Sequence, residues 1–316
     1  IKDLVFEKAE RYKELQDMEL LIRDVYTNID PFPARDKFDE RYTHQEDLSM
    51  TDWSIVKRAR DSVTGEIVAI KEIDGNMEKT RPIIDRLHRL VDFQALNHPN
   101  IVRVKRWGKI AESNKYVIIT EYVSGMSLRN LLDNYIKSDR PLPREIGLAV
   151  IDQIAAGIEY AHGRYRPVIH RALKPSDILL DIERGIAKVT DFSVAVALGG
   201  GHLVRSGERL RETRYTADLR RQNDERADIH SLGVILHEVL TKHCGITEVS
   251  LDEIDRSPGT KGVGKVIRRC INRDDNRTFR NVTEFRQALK EAGHEWITSG
   301  SWAKELASCV PRGAEE

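Results

Sequence analysis

The sequence predicts an α+β fold in two lobes, a small strand-rich lobe carrying one helix and a larger helical lobe after it. Two observations carry this expectation. Between Trp53 and Tyr122, short runs rich in β-branched residues alternate with turn residues, the pattern of antiparallel strands. Beyond Gly125 the apolar residues change period: Ile146, Val150, Ile154, Ile158 and Ala161 fall on one helical face, and Ile229, Leu232, Gly233, Leu236 and Val239 on another.

Taken in order, residues 1–41 read as a helix and a linker. Leu15, Met18, Ile22 and Val25 follow three-four spacing, so the helix has an apolar face to bury, either on its own small lobe or on a partner as a docking or coiled-coil helix. Asp30, Pro31, Phe32 and Pro33 break it and form the linker. The small lobe is assigned to 42–123. In it RARDSVTGEIVAIKEI reads as two strands joined by a turn at Thr64 and Gly65, NKYVIITEY as another, and a helix lies between. The larger lobe is assigned to 124–292, with a long core helix at Arg144–His162, a buried helix at Asp228–Leu240 and a last helix holding Phe285 and Leu289. Residues 293–316, with Trp296 and Trp302, form an extension that reads equally as a docking segment or a cap.

Five short motifs follow one another along this frame: Val68–Ala69–Ile70–Lys71; His98–Pro99–Asn100–Ile101; His170–Arg171–Ala172 with Lys174 and Asp177; Asp191–Phe192–Ser193; and Asp228–Ile229–His230–Ser231–Leu232–Gly233. Their order and spacing resemble the eukaryotic-like serine/threonine protein kinases, and the chain is identified as a degenerate member of that superfamily, a pseudokinase. The resemblance implies a nucleotide site formed by Val56, Ala69, Lys71, Glu121, Leu179 and Asp191, with magnesium held by Asp177 and Asp191. His170, Arg171, Ala172 and Lys174 would be a vestigial catalytic loop, with no catalytic residue expected.

The departures fall on the chemistry. Ala172 stands where the family's Asp receives the substrate hydroxyl proton, and a methyl group cannot accept one. Asp177 replaces a magnesium-binding Asn, and a carboxylate can hold a hard cation at least as well. The family's glycine-rich loop aligns with Ser49–Val56, SMTDWSIV, which contains no glycine, so side chains would hold phosphates away from the backbone. Arg89 falls where an acidic residue should pair with Lys71. At about 4 Å and an effective dielectric of about 20 two such cations repel by about 4 kcal/mol, so Asp85 or Asp92 would have to substitute, unless these are merely a solvated charged face. Leu219 replaces the Glu that in the family pairs with the residue matching Arg277, leaving that Arg without its usual partner.

Losing a general base alone costs roughly a hundred- to ten-thousandfold. Here the base, the phosphate loop, the lysine partner and the end of the activation segment are all altered, and groups acting as a unit fail together. The expectation is therefore a catalytically impaired scaffold or allosteric regulator of a protein partner or of an adjoining domain in the same polypeptide. The alternative is an atypical, weakly active Ser/Thr kinase or an ATP-sensing switch, and weak binding of ATP with magnesium fits either. With 51 basic against 51 acidic residues there is no net field to attract nucleic acid. No apolar run is long enough for a bilayer, and three cysteines without a disulfide pattern suit a reducing compartment, so the expected location is cytoplasmic and not at a membrane. Dimerisation is left open.

Overall fold

The computed structural model describes residues 32–51, 54–76, 95–137, 142–165, 167–192, 215, 224–241, 254, 260–272 and 277–292. The chain divides into two compact units, one built from Ile1–Ala95 with Val104–Thr120 and the other from Leu96–Arg103 with Glu121–Glu316.

The first unit is a five-stranded sheet in the order β1-β2-β3-β5-β4. Helix α1 (Arg35–Arg41) leads into β1 (Tyr42–Met50), which pairs antiparallel with β2 (Ser54–Asp61), itself antiparallel to β3 (Ile67–Asp74). β4 (Val104–Lys109) and β5 (Lys115–Glu121) form a second antiparallel pair. The β2–β3 turn falls where Thr64 and Gly65 predict it, and Gly65 takes φ +73° there, donating its amide to the Asp61 carbonyl at 2.7 Å.

Phe32 corrects the reading of Asp30–Pro33 as a linker. It is 1 % exposed, forms a parallel bridge with Ile110, and joins Phe38, Tyr42, Val68, Ile70, Val117 and Ile119 in one apolar cluster. An isolated Phe between two prolines has no periodicity to announce burial; the sheet face it covers is visible only when the strands are assembled.

In the second unit α2 (Leu128–Lys137) follows the short strand β6 (Gly125–Ser127), and α3 (Arg144–His162) has the limits that the apolar spacing predicts. Ile146, Val150, Ile154, Ile158 and Ala161 are all fully buried. β6 completes a three-stranded sheet with β7 (Ile178–Asp181) and β8 (Ile186–Val189), in the order β6-β7-β8. Helices α4 (Arg226–Thr241), α5 (Gly264–Ile271) and α6 (Val282–Ala292) complete what is described. α4 buries nearly every residue, which suits a central helix.

The segment Leu96–Arg103, assigned to the small lobe in the 42–123 reading, folds with the second unit. Asn100 explains this: its side-chain amide donates to the Ala187 carbonyl at 2.9 Å and to Gln153 at 3.1 Å, while its carbonyl accepts from the Val189 amide. Gly157 of α3 lets that backbone approach, since a Cβ there would stand 2.7 Å from the Asn100 carbonyl oxygen.

Candidate active site

In the second unit the vestigial catalytic loop is organised by one carboxylate. Asp228, in the first turn of α4 and fully buried, accepts the backbone amides of His170 at 2.8 Å and Arg171 at 2.6 Å, and His162 Nε2 at 2.8 Å. Burial alone would push the Asp228 carboxyl up, but the His162 hydrogen bond and charge and the His170 amide outweigh it and hold it below the usual range. Burial likewise opposes the charge on His162, yet Asp228, and Glu225 at 3.5 Å from Nδ1, raise its pKa.

This anchoring fixes the backbone immediately before position 172. Arg171 adopts φ +73°, a left-handed conformation that costs a non-glycine residue about 1–3 kcal/mol and persists where its surroundings over-determine it. His170 is fully buried, donates from Nε2 to the Thr190 carbonyl at 2.9 Å, and lies 4.9 Å from the Phe192 ring. The loop is thus held from α4 below and from the Thr190–Phe192 segment beside it. What it presents at its centre is the Ala172 methyl, partly exposed.

The two magnesium candidates are brought to the same end of one hairpin. Asp177 precedes β7 and Asp191 follows β8 by one residue; the strands pair Ile178 with Val189, and the Thr190 amide donates to the Asp177 carbonyl at 2.8 Å. Asp177 is 6 % exposed and Asp191 takes φ +63°. Two carboxylates fit magnesium, which takes one or two from a protein and completes its shell with phosphate and water. Among the described residues no cluster of three or more metal-ligating side chains occurs. Lys174 immediately precedes the short 3₁₀ turn Pro175–Asp177, and its carbonyl accepts the Asp177 amide.

Leu179 sits on β7 opposite Lys188. Lys188 Nζ reaches the Glu121 carboxylate at 2.8 Å, and that carboxylate also accepts the Arg103 amide at 2.9 Å. The Glu121 amide in turn donates to the Arg103 carbonyl. Glu121 is therefore already tied to two neighbours of its own unit through its amide and its side chain.

In the first unit, strand pairing places Val56 opposite Lys71 and Arg58 opposite Ala69, so Val56, Ala69 and Lys71 share one face of the sheet. The β1–β2 connection is where phosphates should be cradled, and its two described residues, Thr51 and Ser54, bond to each other. The Thr51 amide donates to the Ser54 carbonyl at 2.8 Å, the Ser54 amide donates to Thr51 Oγ1 at 3.1 Å, and the two hydroxyls lie 3.0 Å apart. The Thr51 and Ser54 amides are thus committed to one another's residue and are not offered to a phosphate.

Sequence reasoning missed His162 and the buried group Arg129–Glu238–Tyr215. Glu238, fully buried on α4, pairs with Arg129 at 2.6 Å and accepts the Tyr215 hydroxyl at 2.5 Å, while the Tyr215 carbonyl accepts Ser231 Oγ at 2.8 Å. The available signal was a second acidic residue, after Asp228, among the mostly apolar buried positions of this helix. Arg277, expected to lack its usual partner, is engaged by its surroundings. Arg89, Asp85, Asp92, Ser193, Leu219 and the segments before Phe32 and after Ala292 lie outside the described residues.

A sheet with a lysine-bearing third strand, and a helical unit whose buried Asp holds a His-Arg loop beside an Asp-Phe pair, define a protein-kinase-like α+β fold. The chain belongs to the protein kinase domain family, which it matches over residues 42–294. It is 31 % identical over 209 residues to the probable serine/threonine-protein kinase PknB of Lactococcus lactis, covering 65 % of this chain and 32 % of that protein. It is 33 % identical over 187 residues to the serine/threonine-protein kinase PrkC of Bacillus subtilis, covering 58 % of this chain and 28 % of that one. The chain thus spans about a third of the length of these relatives. The Mycobacterium tuberculosis PknI kinase domain superposes with a TM-score of 0.61 at 18 % identity, over 80 % of this chain and 96 % of that one, a likeness of fold. No helix among the described residues is long and apolar enough to cross a membrane.

Proposed function

We infer that this chain is a kinase-fold module with impaired phosphoryl transfer that acts as a scaffold or allosteric regulator of a protein partner or of an adjoining domain of the same polypeptide, in the cytoplasm. The observation that carries this reading is Ala172 in a loop whose preceding residues are firmly held: Asp228 accepts the His170 and Arg171 amides, and the Thr190 carbonyl accepts the His170 ring. A loop kept in place while its proton acceptor is an alanine is what selection for shape, without selection for transfer, leaves behind. The Thr51–Ser54 pairing points the same way, because phosphoryl transfer depends mostly on positioning and electrostatics. Incorporation of labelled phosphate into protein substrates, lost on Lys71→Ala and on Asp191→Asn, would refute it.

A second reading is supported by the relatives, which are named serine/threonine kinases, and by Asp177 and Asp191 at one end of the β7–β8 hairpin. It is an atypical, weakly active Ser/Thr kinase or ATP-sensing switch, using ATP with magnesium. Ligand that binds only the folded state stabilises it by RT ln(1 + [L]/Kd). A melting scan with millimolar ATP, with and without magnesium, therefore separates the readings. A magnesium-dependent rise in Tm that Asp177→Ala removes supports the second, and no rise leaves the scaffold.

A further inference from the structure

The outer face of the small sheet is covered by a stretch of this chain lying before the kinase-family match at residue 42. Phe32 is fastened at the β4–β5 connection, its amide donating to the Lys109 carbonyl at 3.0 Å and its carbonyl accepting the Ala111 amide at 3.0 Å, with the Arg106 guanidinium 4.6 Å above its ring. At the other end Arg41 pairs with Asp61 at 3.0 Å and its carbonyl accepts the Ser62 amide, after which Tyr42 enters β1. The segment therefore runs from the β4–β5 side of the sheet to the opposite edge strand. On the way Phe32 packs edge to face against Phe38 and Tyr42, which are tilted against each other, over Val68, Ile70, Val117 and Ile119.

One polar contact joins this strap to the strand that matters for nucleotide. Arg35 meets Glu72 through both terminal nitrogens at 3.1 Å, and Glu72, 6 % exposed, immediately follows Lys71 in β3. Because side chains alternate along a strand, Val68, Ile70 and Glu72 face the strap while Ala69 and Lys71 face the other side. Lys57 at 3.0 Å and Lys115 at 3.7 Å also reach Glu72, so loss of Arg35 leaves the carboxylate paired and loosens the strap selectively.

We propose that Phe32–Tyr42 is a conformational strap that sets the order of β3, and through it the placement of Lys71 on the sheet face opposite the strap. This deepens the regulatory reading above and rests on it for its biological use, but its test needs no nucleotide. Amide hydrogen exchange on the intact 316-residue chain would compare wild type with Arg35→Gln, Phe38→Ala and, as a control, Asp39→Ala, which removes only the exposed partner of Arg35. The expected result is exchange at least about tenfold faster at Ile67–Asp74 in the first two variants, with Ile178–Val189 and the control unchanged. Arg35→Gln keeps the apolar seam intact and decides the matter should Phe38→Ala fail to fold. Unchanged β3 exchange in Arg35→Gln, or equal loosening of β3 and the β7–β8 hairpin, overturns the proposal. A β3 response together with no ATP-induced melting shift would uphold the strap while removing the nucleotide-dependent reading.

Discussion

The backbone amide of Arg171 lies 2.6 Å from the Asp228 carboxylate, across fifty-seven residues of sequence, and this contact fixes the loop in which Ala172 sits. Its neighbours share the load: the same carboxylate also takes the His170 amide and the His162 ring. Asp228→Ala leaves two amides and the His162 imidazole buried without their acceptor, and breaking such a buried pair costs about 3–5 kcal/mol. Urea denaturation followed by tryptophan fluorescence is expected to show that loss.

The His162–Asp228 contact also fixes the direction of pH dependence. The folded-state pKa of His162 is raised above 6.5, so its contribution is fully present below about pH 6.5 and fades as pH rises through the raised value. That of Asp228 is lowered from 3.8, so its contribution is present above that pH and is lost as pH falls through the lowered value. The Glu225 carboxylate also acts to raise His162, and the His170 side chain also acts to lower Asp228. His162→Gln, which can donate at every pH, should flatten the alkaline decline in Tm measured between pH 6 and 9 (about the range in which a raised His titrates). An unchanged decline would assign it to other groups.

Restoring the missing base should not restore an enzyme. Ala172→Asp supplies a proton acceptor in an anchored loop, but the Thr51 and Ser54 amides beside the phosphate connection stay committed to each other's residue. Labelled-phosphate transfer by this variant is expected to stay within about tenfold of wild type, whereas a base that was the sole defect would return a hundredfold or more.

The helix contacts give a packing prediction with an internal control. A Cβ on Gly233 would stand 2.2 Å from the Cys270 Cβ, backbone-proximal atoms that cannot swing away, so Gly233→Ala should cost about 1–3 kcal/mol through overpacking. Gly65→Ala meets nothing within 4 Å and pays only for φ +73°, about 1–2 kcal/mol. Equilibrium denaturation, combined with Cys270→Gly, separates the two: only the first cost should be relieved when position 270 carries no Cβ.

The buried Arg129–Glu238 pair makes the last prediction. Glu238 is fully buried, so Arg129→Ala strands a carboxylate and should cost about 3–5 kcal/mol, while Tyr215→Phe leaves Arg129 in place and should cost about 1.5–3 kcal/mol for one hydrogen bond to a charged group. Thermal melts of the two variants should rank in that order.

Local patterns in the sequence were sufficient for the elements whose burial repeats with a period. Ile146 to Ala161 marked α3 to the residue, the Thr64–Gly65 turn announced the β2–β3 hairpin, and the ordered motifs identified the kinase fold and the alanine at position 172. Those readings depend on neighbours within a few positions, where propensity and periodicity act. Only the tertiary structure decided that Phe32 is core and not linker, that Asn100 carries its segment into the larger unit, that His162 shares Asp228 with the catalytic loop, and that Thr51 and Ser54 bond to each other. Each of these is a pairing of groups whose partner lies on another element or whose hydrogen bonds are chosen by geometry, and neither choice leaves a periodic trace along the chain.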